Sequence, residues 1–212
     1  MHTSPITTSD NVLRVMPGNG ADSPVKIEIP KEVAPGTYWY HAHLHGLTEA
    51  QVRNQLEIRM RELGAVGPSY DTIVATGPLN AALPHHRPTD AVIEDGHTVI
   101  IDVGALVDGY HSDMTRTFVI GRPTPLQREL YELVLAAQQA GVAAVAAGLS
   151  TKQLDAVCRD IITEGGYGDW FTHGTGHGVG LLIHEDPFVN RAGDAILQVG
   201  DVVTVEPGVY RE

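Results

Sequence analysis

Acidic side chains stand at the ends of apolar segments, where they could share a metal ion. Asp102 follows three apolar residues, and Asp113 comes 11 positions later in Ser-Asp-Met-Thr-Arg-Thr. A buried carboxylate is costly unless a metal ion or a salt bridge compensates its charge. Two carboxylates across a short hairpin could therefore bind one divalent cation. The pattern leaves an alternative open, in which Asp102 caps a turn and Asp113 pairs with Arg116.

A second segment carries three histidines, His173, His177 and His184. Glycines occupy every second position from 174 to 180 among them. Glycine lets the backbone approach a ligand closely, and neutral imidazole is a common metal ligand and proton carrier. Glu206 follows in Val-Glu-Pro-Gly and adds another carboxylate. This pattern is not typical of a hydrophobic core and favours a functional site.

Composition excludes several classes of protein. The 212 residues include 14 Lys and Arg against 26 Asp and Glu, a formal charge of −12. A sequence-independent nucleic-acid binder needs a basic surface instead. The one cysteine excludes a disulfide framework, and no run of 18 apolar residues could span a membrane. We therefore expect a soluble, cytoplasmic protein with neither nucleic acid nor membrane as partner.

Helix and strand signals predict an α+β fold. Capping residues predict helices that begin at Thr48, Thr124 and Ser150, and glycines predict their ends near Gly64, Gly148 and residues 165–166. Gly141 is expected to weaken the second helix. Segments rich in β-branched residues predict strands at 72–75, 98–103, 115–120 and 202–205.

The sequence also echoes itself. Residues 46–48 resemble residues 148–150, and residues 96–104 resemble residues 200–208. In the second pair of segments, a turn leads into an apolar strand that ends in an acid, Asp102 or Glu206, two positions before a glycine. The echo predicts one pseudo-twofold domain in which an acid from each half meets at the centre.

From about Gly46 to Tyr210 the chain resembles the pita-bread metallopeptidases, in particular the Xaa-Pro aminopeptidases and prolidases. The matching segments are 83–86, 101–105, 112–117, 173–185 and 205–208. The resemblance implies a pita-bread (creatinase/aminopeptidase-like) domain at 47–212 that hydrolyses Xaa-Pro bonds in small peptides. A homodimer is an expected assembly, since dimers are common in this family.

The resemblance also implies roles for individual residues. Asp102, Asp113, His177 and Glu206 would bind two divalent cations (Mn, Co or Zn), with Asp113 bridging them. The metal centre would activate a water molecule for attack on the carbonyl before proline. Three further histidines would line the substrate pocket and hold the substrate carboxylate or the tetrahedral intermediate: His85, His173 and His184.

The chain departs from this family near its last residue. The family carries a bridging glutamate within Arg-x-Glu, beyond the Glu-Pro-Gly motif, whereas this chain ends in Tyr210-Arg211-Glu212. Glu212 is a candidate substitute for that ligand. The domain is therefore expected to be incomplete at both ends and its activity impaired, and a non-catalytic protein that binds metal or peptide is an alternative.

Residues 1–46 resemble a different family. The segment 35–46 is similar to a His-x-His motif in the first cupredoxin domain of multicopper oxidases, which implies His41 and His43 as copper ligands. A laccase-like phenol oxidase with bound copper is thus an alternative function. We favour a β-hairpin fragment here, because the other copper motifs are missing. The chain is then a mosaic of two fragments joined near residue 46.

Overall fold

The computed structural model describes residues 46–211, which form three small antiparallel sheets and the helices packed on them. The helices are α1 (Glu49–Glu62), α2 (Gly77–Asn80), α3 (Pro125–Ala144) and α4 (Thr151–Glu164), with a single 3-10 turn at Gly168–Trp170. The strands are β1 (Gly67–Pro68), β2 (Ile73–Thr76), β3 (Thr98–Val103), β4 (Ala105–Val107), β5 (Tyr110–His111), β6 (Met114–Val119), β7 (Gly176–Gly178) and β8 (Glu185–Val189). The predicted N-terminal hairpin, with His41 and His43, and the predicted ligand Glu212 lie outside the described residues.

Three helices begin where the capping residues predict. Thr48, Thr124 and Ser150 each accept a hydrogen bond from the backbone of a glutamine three positions later, and that glutamine binds back to the cap. These reciprocal bonds satisfy backbone groups that the first helical turn leaves unpaired. Helix α3 ends at Ala144, four residues before the predicted end at Gly148.

Gly141 has a different role from the predicted one. It is buried inside α3, and the helix continues through it. A Cβ at this position would overlap Sγ of Cys158 on α4. Gly141 therefore allows α3 and α4 to approach closely, and the expectation of a weakened helix is replaced by a packing role.

The central sheet has the order β2-β3-β6, with β3 in the middle. These three strands match the predicted segments, β3 at the same bounds and the other two shifted by one residue. In the antiparallel pairing Asp102 lies opposite Thr115. Asp113 directly precedes β6, so the hairpin brings the two aspartates to the same end of the sheet.

The predicted strand at 202–205 is reduced to one bridge, between Gly178 and Val203. Its backbone still runs antiparallel to β7, because Thr204 N–H donates to His177 O at 2.8 Å and Glu206 N–H donates to Thr175 O at 2.8 Å. These bonds bring the Glu206 backbone alongside the histidine segment, although they do not form a full strand.

Equivalent backbone bonds in the two halves support the predicted pseudo-twofold symmetry. The helix caps Thr48 and Ser150 form bridges with Val92 and Ile196, respectively. The hydrogen bond from Glu49 N to Ala91 O is repeated by the one from residue 151 to residue 195. Each half thus begins with a capped helix tied to the turn before its acid-bearing segment.

Helix α4 contributes to two hydrophobic clusters of the second half. One contains Ala137, Cys158, Ile162 and Phe171, and the other contains Leu154, Val189 and Leu197. Every one of these side chains is at most 3% exposed. Within residues 46–211, no helix has the length and apolar character needed to cross a membrane.

Candidate metal centre

Asp113, His177 and Glu206 converge in the structure. One potential ligand atom from each side chain lies within 4.8 Å of the other two. His177 Nε2 is 3.1 Å from Glu206 Oε1 and 3.4 Å from Asp113 Oδ2. Asp113 comes from the first half of the domain, and the other two residues come from the second half. An acid from each half therefore lies beside His177, but the first half contributes Asp113, whereas the internal repeat predicts Asp102 in this place.

Hydrogen bonds orient these candidate ligands. His177 Nδ1 lies 2.9 Å from Gly178 O, so this nitrogen carries a proton and Nε2 faces the carboxylates. The Thr204 hydroxyl donates to Glu206 Oε1 at 2.7 Å and accepts a bond from His177 N–H at 3.0 Å. Thr204 therefore ties His177 to Glu206. No sequence signal identifies Thr204, since threonine is an ordinary residue of β-rich segments.

Tyr70 connects Asp102 to Asp113, one of the three convergent side chains. The Tyr70 hydroxyl makes hydrogen-bond contact with Asp102 and with Asp113 Oδ1, the latter at 2.8 Å. Both aspartates thus face one side chain, although Asp102 is not among the three residues whose ligand atoms lie within 4.8 Å of one another. Sequence reasoning missed Tyr70, which lies two positions after strand β1 and has no motif to distinguish it.

The alternative assignments of the two aspartates are wrong. Asp102 lies within strand β3 and does not cap a turn. The Arg116 guanidinium donates to Thr115 O at 2.8 Å, whereas Asp113 faces Tyr70 and His177. Asp113 and Arg116 are three positions apart on one extended segment. Their side chains therefore point to opposite faces, because alternate residues of a strand do so.

The carboxylates create strongly negative surroundings. Burial raises the pKa of Asp102 to about 6, against the opposing effect of the Tyr70 hydrogen bond, and the charge of Asp113 raises it further. Burial opposes charge on His177, but the hydrogen bonds that its Nε2–H donates to Asp113 and Glu206 outweigh this effect and raise the pKa of His177 to about 10. Two carboxylates and an imidazole form a donor set that suits a divalent cation, which would replace the imidazolium proton.

The predicted catalytic histidines differ in their surroundings. The ring of His184, which is exposed, lies 4.4 Å from the ring of His177. His173 Nδ1 lies 2.7 Å from Gly174 O, while its buried Nε2 has no hydrogen-bond partner among the described residues. Burial lowers the pKa of His173, and the charge of His85 contributes in the same direction. All three histidines stay candidates for substrate contact, and burial favours the neutral form of His173.

The loop that carries His85 is fixed by a buried glutamate that the sequence analysis did not identify. Glu49 has no exposed surface, and its Oε2 lies 2.8 Å from His86 Nε2. The same oxygen accepts bonds from the backbone and hydroxyl of Thr89 at 2.9 and 2.8 Å. Of the two adjacent histidines in the sequence, His86 thus points inward and His85 is exposed.

A cavity of about 480 Å³ lies beside His173. Its lining includes Arg159, Asp169, Asn190 and Arg191, but none of the three convergent candidate ligands. The metal candidates therefore occupy a separate position, and His173 is the one predicted site residue that lines this cavity.

Comparisons with known proteins give consistent matches over most of the chain. Residues 25–212 match the model of metallopeptidase family M24. The Xaa-Pro dipeptidase of Pyrococcus furiosus is 48% identical over 165 residues, which are 78% of this chain and 47% of the relative. The uncharacterized peptidase YqhT of Bacillus subtilis is 47% identical over 78% of this chain and 46% of its own length.

Solved structures give the same result. Prolidase from Pyrococcus furiosus superposes with a TM-score of 0.77 at 48% identity, covering 78% of this chain and 49% of the prolidase. The X-Pro aminopeptidase from Thermotoga maritima has a TM-score of 0.75 at 43% identity, covering 78% of this chain and 47% of that protein. The chain thus has the predicted α+β pita-bread fold and spans about half the length of these relatives. The extent of the family match shows that this chain belongs to metallopeptidase family M24.

Proposed function

We propose that this chain hydrolyses Xaa-Pro bonds in small peptides with the aid of divalent cations. The observation that carries this proposal is the convergence of Asp113, His177 and Glu206 within 4.8 Å. Membership of family M24 and similarity to Xaa-Pro dipeptidases support the reaction and the substrate class. A bound divalent cation would supply Lewis acidity and an activated water at this position.

We assign the metal ligands to Asp102, Asp113, His177 and Glu206, with Asp113 shared between two ions. The carboxylate-rich donor set with one imidazole suits Mn²⁺, Co²⁺ or Zn²⁺. Asp102 joins the set because Tyr70 links it to Asp113. The Gly178 carbonyl holds the His177 proton on Nδ1, which leaves Nε2 free to bind metal once its own proton is lost.

The histidines around this group would bind and orient the peptide. His184 lies against the ring of His177 and is exposed, so it can reach a substrate bound beside the metal ligands. As a hydrogen-bond donor it would stabilise negative charge on the carbonyl oxygen during attack. His173, with its proton on Nδ1, presents Nε2 as an acceptor, and His85 would contact the substrate from the neighbouring loop.

Hydrolysis of a Leu-Pro dipeptide in the presence of Mn²⁺ tests the proposal. We expect turnover that EDTA abolishes, and a rate for Leu-Ala that is much lower than the rate for Leu-Pro. Glu206→Gln should lose both bound metal and activity, whereas Asp160→Asn, an exposed acid on α4, should retain both. Tight Mn²⁺ binding with no turnover of any dipeptide would instead favour the non-catalytic alternative.

His184→Ala separates metal binding from substrate contact. Because His184 contacts His177 by its ring alone, the variant should keep its metal content and lose roughly 100-fold or more in kcat. Loss of metal from this variant would move His184 into the metal-binding set. The homodimer and the cytoplasmic location stay predictions of this proposal.

A further inference from the structure

A buried ion pair on α4 lies behind the histidine segment. Asp155 and Arg159 are one helical turn apart and are 1% and 7% exposed. Arg159 Nε donates to Asp155 Oδ2 at 2.7 Å, and Nη2 donates to Oδ1 at 2.9 Å. Burying two charges is unfavourable unless their remaining polar atoms are also bonded. The remaining hydrogen bonds of Asp155 and Arg159 therefore identify the residues that this ion pair holds in place.

Arg159 binds the backbone of the segment that follows α4. Its Nη1 donates to Phe171 O at 2.9 Å, and its Nη2 donates to His173 O at 2.7 Å. The guanidinium carbon lies 3.9 Å from the centre of the Phe171 ring, which meets the His173 ring edge-on at 5.3 Å. The guanidinium thus constrains His173 both through its carbonyl and through the neighbouring ring.

Asp155 holds the next alternate residue, Thr175. Its Oδ1 accepts bonds from Thr175 N–H at 3.0 Å and from the Thr175 hydroxyl at 2.9 Å. Thr175 is fully buried, and its carbonyl accepts the N–H of Glu206 at 2.8 Å. One carboxylate therefore fixes the residue between His173 and His177 and, through it, the backbone of Glu206.

We propose that the Asp155–Arg159 pair is the positioning unit of the metal centre. It sets the backbone from which His173, His177 and Glu206 project, and it acts through the segment 171–175. An apolar pair of the same volume could fill this space with similar stability, but it could not bind two carbonyls and a threonine. The inference rests on the proposed function only for the identity of the ligand and substrate, because every contact is made between residues of the chain itself.

Arg159→Lys tests this role, since lysine keeps the charge but loses the planar fork that binds several acceptors at once. We expect a folded chain by circular dichroism and a dissociation constant for Mn²⁺ that is raised roughly 10- to 100-fold, as for other residues that orient metal ligands. With Leu-Pro as substrate and Mn²⁺ at saturation, KM should rise more than kcat falls, because His173 is displaced.

Arg61→Lys is the matched control. Arg61 pairs with Glu57 at the same helical spacing on α1, at 3.8 Å and with half of its side chain exposed. It contacts neither the histidine segment nor the candidate ligands in any described bond. Its Mn²⁺ affinity and KM should equal those of the unmodified chain.

Thr175→Val tests the positioning role of the Asp155–Arg159 pair if Arg159→Lys does not fold. This change removes one hydroxyl that donates to Asp155 and keeps the size of the side chain, so it should weaken Mn²⁺ binding in the same direction by a smaller factor. Imidazole ¹⁵N spectra of the metal-free chain give an independent readout, in which either variant should shift the His173 signals. Unchanged Mn²⁺ affinity and unchanged His173 signals in a folded variant would overturn the inference.

These readouts separate the inference from the proposed function. If the unmodified chain binds Mn²⁺ but cleaves no Xaa-Pro dipeptide, the proposed function fails and the Mn²⁺ affinities still test the positioning role. If it binds no Mn²⁺, the His173 signals alone decide, and a shift in Arg159→Lys supports the positioning role.

Discussion

Glu49 shows how a single buried carboxylate organises its surroundings at the residue scale. Besides His86 and Thr89, it accepts bonds from the backbone of Thr76 at 2.7 Å and from the side chain of Asn80 at 2.9 Å. Burial would raise the pKa of this carboxyl, but the hydrogen bonds outweigh that effect and lower it from 4.5. The ionised form of Glu49 therefore stabilises the folded state.

We predict that Glu49→Gln costs about 3 kcal/mol of unfolding free energy at pH 7, because an amide cannot accept all of these bonds. The folded pKa lies below the unfolded value of about 4.5, so the contribution is present above that pH and is lost as the pH falls through the folded pKa. Urea unfolding of the unmodified chain and of Glu49→Gln, from pH 7 to pH 3, measures this contribution to the unfolding free energy.

Glu62→Gln on the same helix is the control. Glu62 is 56% exposed and pairs with Arg59 at the surface, so this change should cost less than about 1 kcal/mol. A difference between the unmodified chain and Glu49→Gln that stays constant down to pH 3 would contradict the assigned role of the ionised carboxylate.

The acids and histidines of the candidate site stand out in the sequence, because such residues beside apolar and glycine-rich segments are unusual. Their individual roles as ligands come from the family resemblance and stay predictions. Tyr70, Thr204 and Glu49 could not, since each is an ordinary residue type in its local context. Their roles depend on contacts between segments distant in sequence, such as the bond that joins Tyr70 to Asp113 across 43 positions. Spacing along the chain does not reveal such contacts.

At the scale of elements, Gly141 makes the packing of α3 on α4 sensitive to one methyl group. Alanine favours a helix over glycine by about 1 kcal/mol, so propensity alone predicts that Gly141→Ala stabilises the protein. In the structure the added Cβ would overlap Sγ of Cys158 and lie 2.7 Å from Val205 Cγ1. We predict instead a loss of about 1 to 3 kcal/mol in unfolding free energy.

The double variant Gly141→Ala/Cys158→Ala tests the cause of this loss. Removing Sγ makes room for the new methyl group, so the double variant should be more stable than the sum of the two single changes predicts. Strict additivity in a thermodynamic cycle would show that the two positions do not collide.

Helix starts were predictable because capping boxes are local, whereas the end of α3 and the short segment near Val203 were not. Gly148 is the obvious stop signal, but the chain leaves the helix at Val145, where ψ is 115°. The residues at 202–205 have strong β propensity, but the structure pairs them through one bridge. In both cases the structure departs from the local preference of the sequence.

At the scale of the whole molecule, a metal ion would link the two halves of the domain. Asp113 comes from the hairpin of the first half, and His177 and Glu206 come from the second. A ligand that binds only the folded state stabilises it, by about 2.7 kcal/mol at a concentration 100 times its dissociation constant. We therefore predict that saturating Mn²⁺ raises Tm and that EDTA reverses the rise. Glu206→Gln should show no rise in Tm.

The pseudo-twofold design was predictable from the echo between residues 96–104 and 200–208, because both copies carry an acid at the same place. The chain-wide interpretation as a mosaic, with copper at His41 and His43, stays a prediction that only a measurement on the full chain can decide.

Manganese bound per chain, measured by elemental analysis after dialysis, tests the central claim most directly. The unmodified chain and Asp160→Asn should bind Mn²⁺ equally, and so should the double variant His41→Ala/His43→Ala. Asp113→Asn should lose the bound metal. Full retention of metal by Asp113→Asn, or its loss from the His41/His43 variant, would contradict a metal centre built on Asp113, His177 and Glu206.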